Sequence, residues 1–169
     1  MNKEELLKIK EKALEEHIPI IMDDTLEVIS KILKEKKPEK ILEIGTAVGY
    51  SAICFSEYIK ENGKIDTIER DLERVKEAKE NIKKAEVEGK IHIYEGDAVE
   101  ILPTLNENGI IFADNILYKG YVMSDYNKHK QRTAVRNLRE YIKETTENPM
   151  LDTEILEVGD GLAISKLKK

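Results

Sequence analysis

The chain has 169 residues, 40% of them hydrophobic, which is enough for one domain with a substantial core and too short for two ordinary ones. A formal net charge of −6 argues against a generic nucleic-acid binder, because non-specific affinity for phosphates comes from Lys and Arg. No apolar run approaches the ~20 residues that span a bilayer, and the charged stretch from Met1 to Glu16 does not resemble a signal peptide, so a soluble, cytoplasmic protein is expected, with no membrane partner.

In chain order, Lys3 to Glu16 reads as an amphipathic helix and His17 to Met22 as a short extended linker. A second helix starts near Asp24, carries Leu26, Ile29, Ile32 and Leu33 on one face, and ends at Pro38. From Lys40 the pattern changes to short apolar runs alternating with helical stretches, the signature of a parallel sheet with crossover helices. Ile41 to Ile44 reads as a buried strand, Ser51 to Asn62 as a helix closed by Gly63, and Ile65 to Glu69 as a second strand. A helix over Asp71 to Ala85 turns Leu72, Val75, Ala78 and Ile82 inward, and Ile91 to Tyr94 is the third strand. Asp97 to Leu105 is a short helix around Pro103, Gly109 to Ala113 a strand, Asn115 to about Lys130 a loop, and Gln131 to Thr146 the last helix. Asp152 to Val158 and Leu162 to Leu167 read as an antiparallel hairpin on a tight Gly159-Asp160-Gly161 turn. The whole divides into N-terminal helices (1–38), a ligand-binding half (39–105) and a C-terminal half (109–169) of a single domain.

The lone cysteine, Cys54, cannot form an internal disulfide, and its apolar neighbours Ile53 and Phe55 favour a buried structural thiol over a nucleophile. Charged residues make up 37% of the chain against a typical ~25%, a Lys- and Glu-rich composition like that of many thermophile proteins.

The most informative segment is Ile41-Leu-Glu-Ile-Gly-Thr-Ala-Val-Gly-Tyr-Ser51, a strand running into a glycine-punctuated turn that opens a helix. Missing Cβ atoms at Gly45 and Gly49 let the backbone approach a ligand, although a glycine there is also what a plain strand-to-helix turn needs. Glu69, at the end of the second strand, is placed to accept hydrogen bonds from ribose hydroxyls, or else is a solvated strand end beside Arg70. The third strand ends in Glu95-Gly96-Asp97-Ala98, where Asp97 either faces a nucleoside or caps a helix. A dinucleotide fingerprint would read G-x-G-x-x-G, which the Gly45 to Gly49 spacing does not. Glu43 would repel a diphosphate but help hold the cationic amino-acid end of S-adenosylmethionine.

At these residues the chain resembles the cation-dependent O-methyltransferases, the group of catechol and caffeoyl-CoA O-methyltransferases, and within it the bacterial branch that methylates tRNA wobble 5-hydroxyuridine. The matching stretches are His17 to Met22, Ile41 to Ser51, Asp66 to Arg70, Glu95 to Ala98, Gly109 to Asn115 and Gly159 to Ala163. The resemblance implies a Rossmann-like class I methyltransferase fold, mostly parallel with a C-terminal antiparallel hairpin. It implies that Met22, Gly45, Tyr50 and Ser51 touch the methionine half of the cofactor, Glu69 the ribose, and Asp97 with Ala98 the adenine. Asp114 and Asn115 would be ligands of Mg²⁺, a hard cation that prefers oxygen; without the family they read as a pair opening a loop.

The family pattern holds a further strand and helix before the strand at Gly109, the fourth of its sheet, and Pro103 to Gly109 leaves no room for a unit of roughly 20 or more residues. That strand would supply a third metal ligand and a lysine proton acceptor. The gap reads as an excision, engineered or natural. Two function readings follow. One is an O-methyltransferase acting on tRNA or a small hydroxylated aromatic, impaired at its metal site and with no catalytic residue assigned; the other is a catalytically inactive deletion variant whose interest is folding or assembly. Exchange of segments between two chains would give a homodimer. Lys119, Lys128, Lys130, Arg132, Arg136, Arg139 and Lys143 form either an RNA-facing patch or an ordinary solvated face. His17, His92 and His129 do not cluster with a nucleophile, and His92 reads as a strand residue rather than a general base.

Overall fold

The computed structural model describes residues 2–104, 110–113, 115–124 and 131–167. The chain separates into two compact units, Met1–Gly109 and Ile110–Lys169.

In the first unit, α1 (Lys3–Glu15) and α2 (Asp23–Lys36) precede β1 (Lys40–Ile44), α3 (Tyr50–Phe55), β2 (Lys64–Glu69), α4 (Leu72–Lys84), β3 (Ile91–Glu95), α5 (Ala98–Ile101) and a 3₁₀ turn over Leu102–Thr104. Asn2 caps α1 by accepting from Glu5 N, and α2 stops at Lys37, whose φ of 42° breaks the helix just before Pro38. The strands pair in parallel in the order β3-β2-β1, with Glu43 opposite Thr67 and Ile68 opposite Tyr94. A parallel strand covered on both faces needs a continuous apolar run, and Ile41, Leu42, Ile65 and Ile68 are buried accordingly. Ile29, Leu33, Ile53, Val75, Ala78 and Ile82 supply the helical side of this core.

Two expectations change here. The helix read over Ser51 to Asn62 stops at Phe55. The chain tightens into turns, with Tyr58 N bonding Phe55 O and the Ser56 hydroxyl turning back to Ile53 O. Leu72 is 65% exposed rather than inward. At ~100° per residue it lies roughly 100° from the centre of the face formed by Val75, Ala78, Asn81 and Ile82.

The second unit holds β4 (Ile110–Ala113), α6 (Arg132–Glu147), β5 (Leu151–Leu156) and β6 (Leu162–Leu167). β6 pairs antiparallel with both β4 and β5, placing Phe112 opposite Ile164 and Glu154 opposite the same residue on the other side. The hairpin ends at the Leu156–Leu162 pair, so the connection is longer than the tight Gly-Asp-Gly turn read from the sequence, and residues 157 and 158 belong to it. Gly161 has φ +91°, and a Cβ there would fall 2.3 Å from Leu117 Cγ. The turn therefore requires glycine, because Ile116 N and Leu117 N bond the carbonyls of Gly161 and Asp160. Thr153 ties β5 to its neighbours, donating to Thr145 O and pairing with the Ser165 hydroxyl. No helix among the described residues is long and apolar enough to cross a membrane.

Candidate functional site

The carboxyl ends of β1, β2 and β3 lie side by side in the first unit, and the loop after β1 is shaped by its glycines. Gly45 has φ +93° and bonds Ile68 O through its N–H; a Cβ on it would meet nothing within 4 Å, so open space borders the backbone there. Gly49 has φ +81° and packs the start of α3 against Ala78 and Ile82 of α4. Asn81 secures the same loop by donating to Val48 O at 3.0 Å.

Beneath this loop sits a buried polar network. Ser51 Oγ donates to Glu43 Oε1 at 2.5 Å, Thr67 Oγ1 donates to Glu43 Oε2 at 2.6 Å, and the Thr46 and Thr67 hydroxyls are 2.7 Å apart. Burial pushes the Glu43 carboxyl up to about 7; the two hydroxyl donors oppose that shift and the nearby Glu69 charge adds to it. Thr46 and Thr67 were not singled out from sequence. The only signal for Thr67 was a threonine at a buried strand position, and its pairing with Glu43 is set by the parallel register, which sequence spacing does not give; Thr46 lies in the loop after β1.

Glu69 is held by the backbone. Its Oε2 accepts from Ala47 N at 2.9 Å, and its Oε1 accepts from Arg70 N and Asp71 N at 2.9 and 3.0 Å. Three of the roughly four lone-pair directions of a carboxylate are thereby used, leaving about one for a ligand hydroxyl. Its own carbonyl accepts from Gly96 N, which fixes the end of β3 against β2. Asp97 and Ala98 are half-buried at that end, and the Asp97 carbonyl accepts from Glu100 N and Ile101 N as α5 begins.

Met22 caps α2 with its main chain and is 47% exposed. The neighbouring Asp23 acts on the Tyr50 phenol, so the start of α2 lies close to the start of α3. Tyr50 itself is buried and its phenol is shifted upward by that burial, with Cys54 next to it. Burial pushes the Cys54 thiol up to about 12, favouring the neutral form, in keeping with the buried structural thiol expected from the sequence. His92 is exposed, stacking edge-on with Tyr94 at 4.5 Å.

A groove of about 1260 Å³ opens at the other end of the strands, lined by Lys34, Lys40, Tyr58, Lys60 and Lys64 among others. None of the nucleoside-site residues named above lines it.

Of the two metal-ligand candidates, Asp114 lies outside the described residues. Asn115 is exposed at φ +60° and opens a turn closed by Tyr118 N. Among the described residues no group of three or more His, Cys, Asp or Glu side chains could hold a metal ion. In the basic stretch, Lys128 and Lys130 also lie outside the described residues. Arg139 has a structural job, donating to Val122 O and Ser124 O at 2.9 and 2.7 Å, so it is not a free RNA contact.

The sequence profile of the O-methyltransferase family matches residues 3–112, well over half of the chain. The chain belongs to the O-methyltransferase family. This O-methyltransferase-family chain is 27% identical to the Aspergillus thermomutatus O-methyltransferase ankF, over 81% of its own length and 74% of the relative's. It is 27% identical to a Niastella koreensis catechol O-methyltransferase, over 85% and 78%. Its alignment with the Vitis vinifera flavonoid 3',5'-methyltransferase, at 26% identity, covers 96% of this chain and 86% of the relative but runs over 204 positions, more than this chain has residues. The relative therefore contains segments with no counterpart here. A solved structure from Staphylococcus aureus, assigned as a caffeoyl-CoA O-methyltransferase, superposes with a TM-score of 0.85 at 26% identity, over 96% of this chain and 92% of that one. A Bacillus cereus O-methyltransferase in complex with SAH shares the fold at a TM-score of 0.82 and 18% identity, over 99% and 92%. The family and the α/β fold read from the sequence are thus established.

Proposed function

We propose that this chain binds S-adenosylmethionine at the carboxyl ends of β1, β2 and β3, and that it is an O-methyltransferase whose metal half is incomplete. The observation that carries the reading is the Glu69 carboxylate, fixed by the Ala47, Arg70 and Asp71 N–H groups beside a Gly45 backbone that faces open space. The residues suit the cofactor. Glu69 offers an acceptor to the ribose, Asp97 and Ala98 border the adenine, and Met22, Gly45, Tyr50 and Ser51 surround the methionine end, with Glu43 supplying negative charge beneath it. When bound, such a cofactor supplies a methyl group on a cationic sulfur for in-line transfer to an acceptor oxygen.

The acceptor we infer is a hydroxylated aromatic, on the strength of relatives named for catechol and flavonoid substrates. A wobble hydroxyuridine of tRNA is the finer alternative, supported by the exposed Lys119, Arg136 and Lys143. Asp114 and Asn115 would give Mg²⁺ two protein oxygens at most, too few to assign it a step here.

Calorimetric titration with S-adenosylmethionine and S-adenosylhomocysteine tests the reading. Saturable binding is expected, at least about tenfold weaker in Glu69→Ala, as for loss of a charge-assisted hydrogen bond. A folded sample that takes up neither ligand overturns it.

A catalytically inactive form is the second reading, favoured by the five residues, 105–109, between the 3₁₀ turn and β4, where a strand and a helix cannot fit. It predicts binding without methyl transfer to catechol or tRNA even with Mg²⁺ present. The same shortened connection supports a homodimer built by segment exchange, which light scattering would reveal as twice the 19.4 kDa chain mass; a monomer at all concentrations contradicts it.

A further inference from the structure

The glycine loop rests on a carboxyl group that bonds no cationic side chain among the described residues. Glu43 is buried, its two oxygens are each taken by a hydroxyl, and those hydroxyls belong to Ser51 in the first turn of α3 and Thr67 on β2. Among the described residues, the other ionisable groups that act on it are negative or neutral. Glu69 at the end of β2 disfavours its ionisation, and Cys54 on α3 carries a neutral thiol. Lys10 of α1 acts on Cys54, and Asp23 of α2 acts on Tyr50, while no Lys or Arg of α1, α2 or α4 is among the groups that shift Glu43.

The hydrogen-bond inventory of this cluster depends on one proton. With Glu43 ionised, both hydroxyls must donate to it, so Ser51 Oγ has only lone pairs left for anything else. With Glu43 protonated, the carboxyl carries a hydrogen of its own, and the Ser51 hydrogen is free to turn away. A cation placed over the loop favours the ionised arrangement on two counts: it offsets the paired Glu43 and Glu69 charges, and it needs an acceptor.

We propose that Glu43 is a proton-coupled positioning residue: when the ammonium of the ligand's amino-acid end settles over the loop, the buried carboxyl gives up its proton to solvent, and the resulting carboxylate fixes Ser51 as an acceptor for that ammonium. The inference rests on the binding reading given above and adds to it that occupancy and protonation are linked. Its direction is set by Glu43 standing near neutrality in the free protein, so acid competes with the ligand.

The test uses the full chain and S-adenosylhomocysteine, which lacks the sulfonium charge and so leaves the α-ammonium as the ligand's one cationic centre. Titrations near pH 6 and pH 8, each in two buffers of different ionisation enthalpy, read both affinity and protons exchanged. Close to one proton released per ligand near pH 6, little near pH 8, and affinity about tenfold weaker at the lower pH are expected. Glu43→Gln should flatten the pH profile and abolish the release, while Ser51→Ala should weaken binding and reduce the release. Unchanged proton release in Glu43→Gln, or none in the native protein, overturns the inference while leaving the binding site standing. Absence of binding at every pH overturns both together. The native buffer comparison decides the matter even if a variant fails to fold.

Discussion

Glu43 sits in a strand covered on both sides, and the fold tolerates it because two hydroxyls solvate it and because it can carry a proton. A carboxyl raised from 4.5 to about 7 stabilises the folded state most below its unfolded value, and that contribution is lost as pH rises toward 7. The ligand-free protein is therefore expected to lose up to about 3 kcal/mol from this group between about pH 4.5 and pH 7. Urea denaturation of Glu43→Gln should show a flatter profile, with the variant more stable than the native chain near pH 8. Equal pH slopes in the two proteins would contradict this. The acidic residue before the glycine turn was visible in the sequence, and so was Glu69; their surroundings were not. Thr67 lies 24 residues from Glu43, and only the parallel register brings the pair to 2.6 Å. Arg139 likewise read as one of a basic series, until its two carbonyl partners showed what it holds.

Helix and strand identities followed the apolar period closely wherever the run was long. α1, α2 and α4 were legible within a residue or two because their caps are written in the chain, as with Asp71 accepting from Glu73 N and Arg74 N. Asp71→Ala is expected to cost about 1 kcal/mol by chemical denaturation, while Leu72→Ser, at an exposed position, should change stability little. What period alone missed was where a helix stops without glycine or proline: α3 ends at Phe55 through local hydroxyl and turn bonds rather than at Gly63. The terminal hairpin was legible as two strands, but its turn depends on the 116–117 backbone pairing with residues 160–161, a non-local contact. Gly161→Ala combines a left-handed φ with a clash on Leu117 and should cost roughly 2–4 kcal/mol. A loss below about 0.5 kcal/mol would mean the turn relaxes in solution.

At the level of the whole molecule, the residues expected to hold a nucleoside all fall in the unit Met1–Gly109, and the two metal-ligand candidates fall in the unit Ile110–Lys169. The family profile ends at residue 112, close to this division, and only five residues, 105–109, stand between Thr104 and Ile110. The expectation of a missing strand-helix unit came from the sequence alone, because the motifs on both sides of residues 105–109 are recognisable there. Chelation of divalent cations should accordingly leave S-adenosylhomocysteine affinity unchanged within about twofold, since every residue proposed to hold it lies outside the metal pair. Backbone amide NMR of the full chain, titrated with S-adenosylhomocysteine, locates the ligand proposed at the carboxyl ends of the first three strands. Saturable shifts are expected at Gly45, Ala47, Glu69, Gly96 and Ala98, with Lys34, Lys40 and Lys64 of the other groove unmoved. Shifts confined to that groove, or none at millimolar ligand, would contradict that placement.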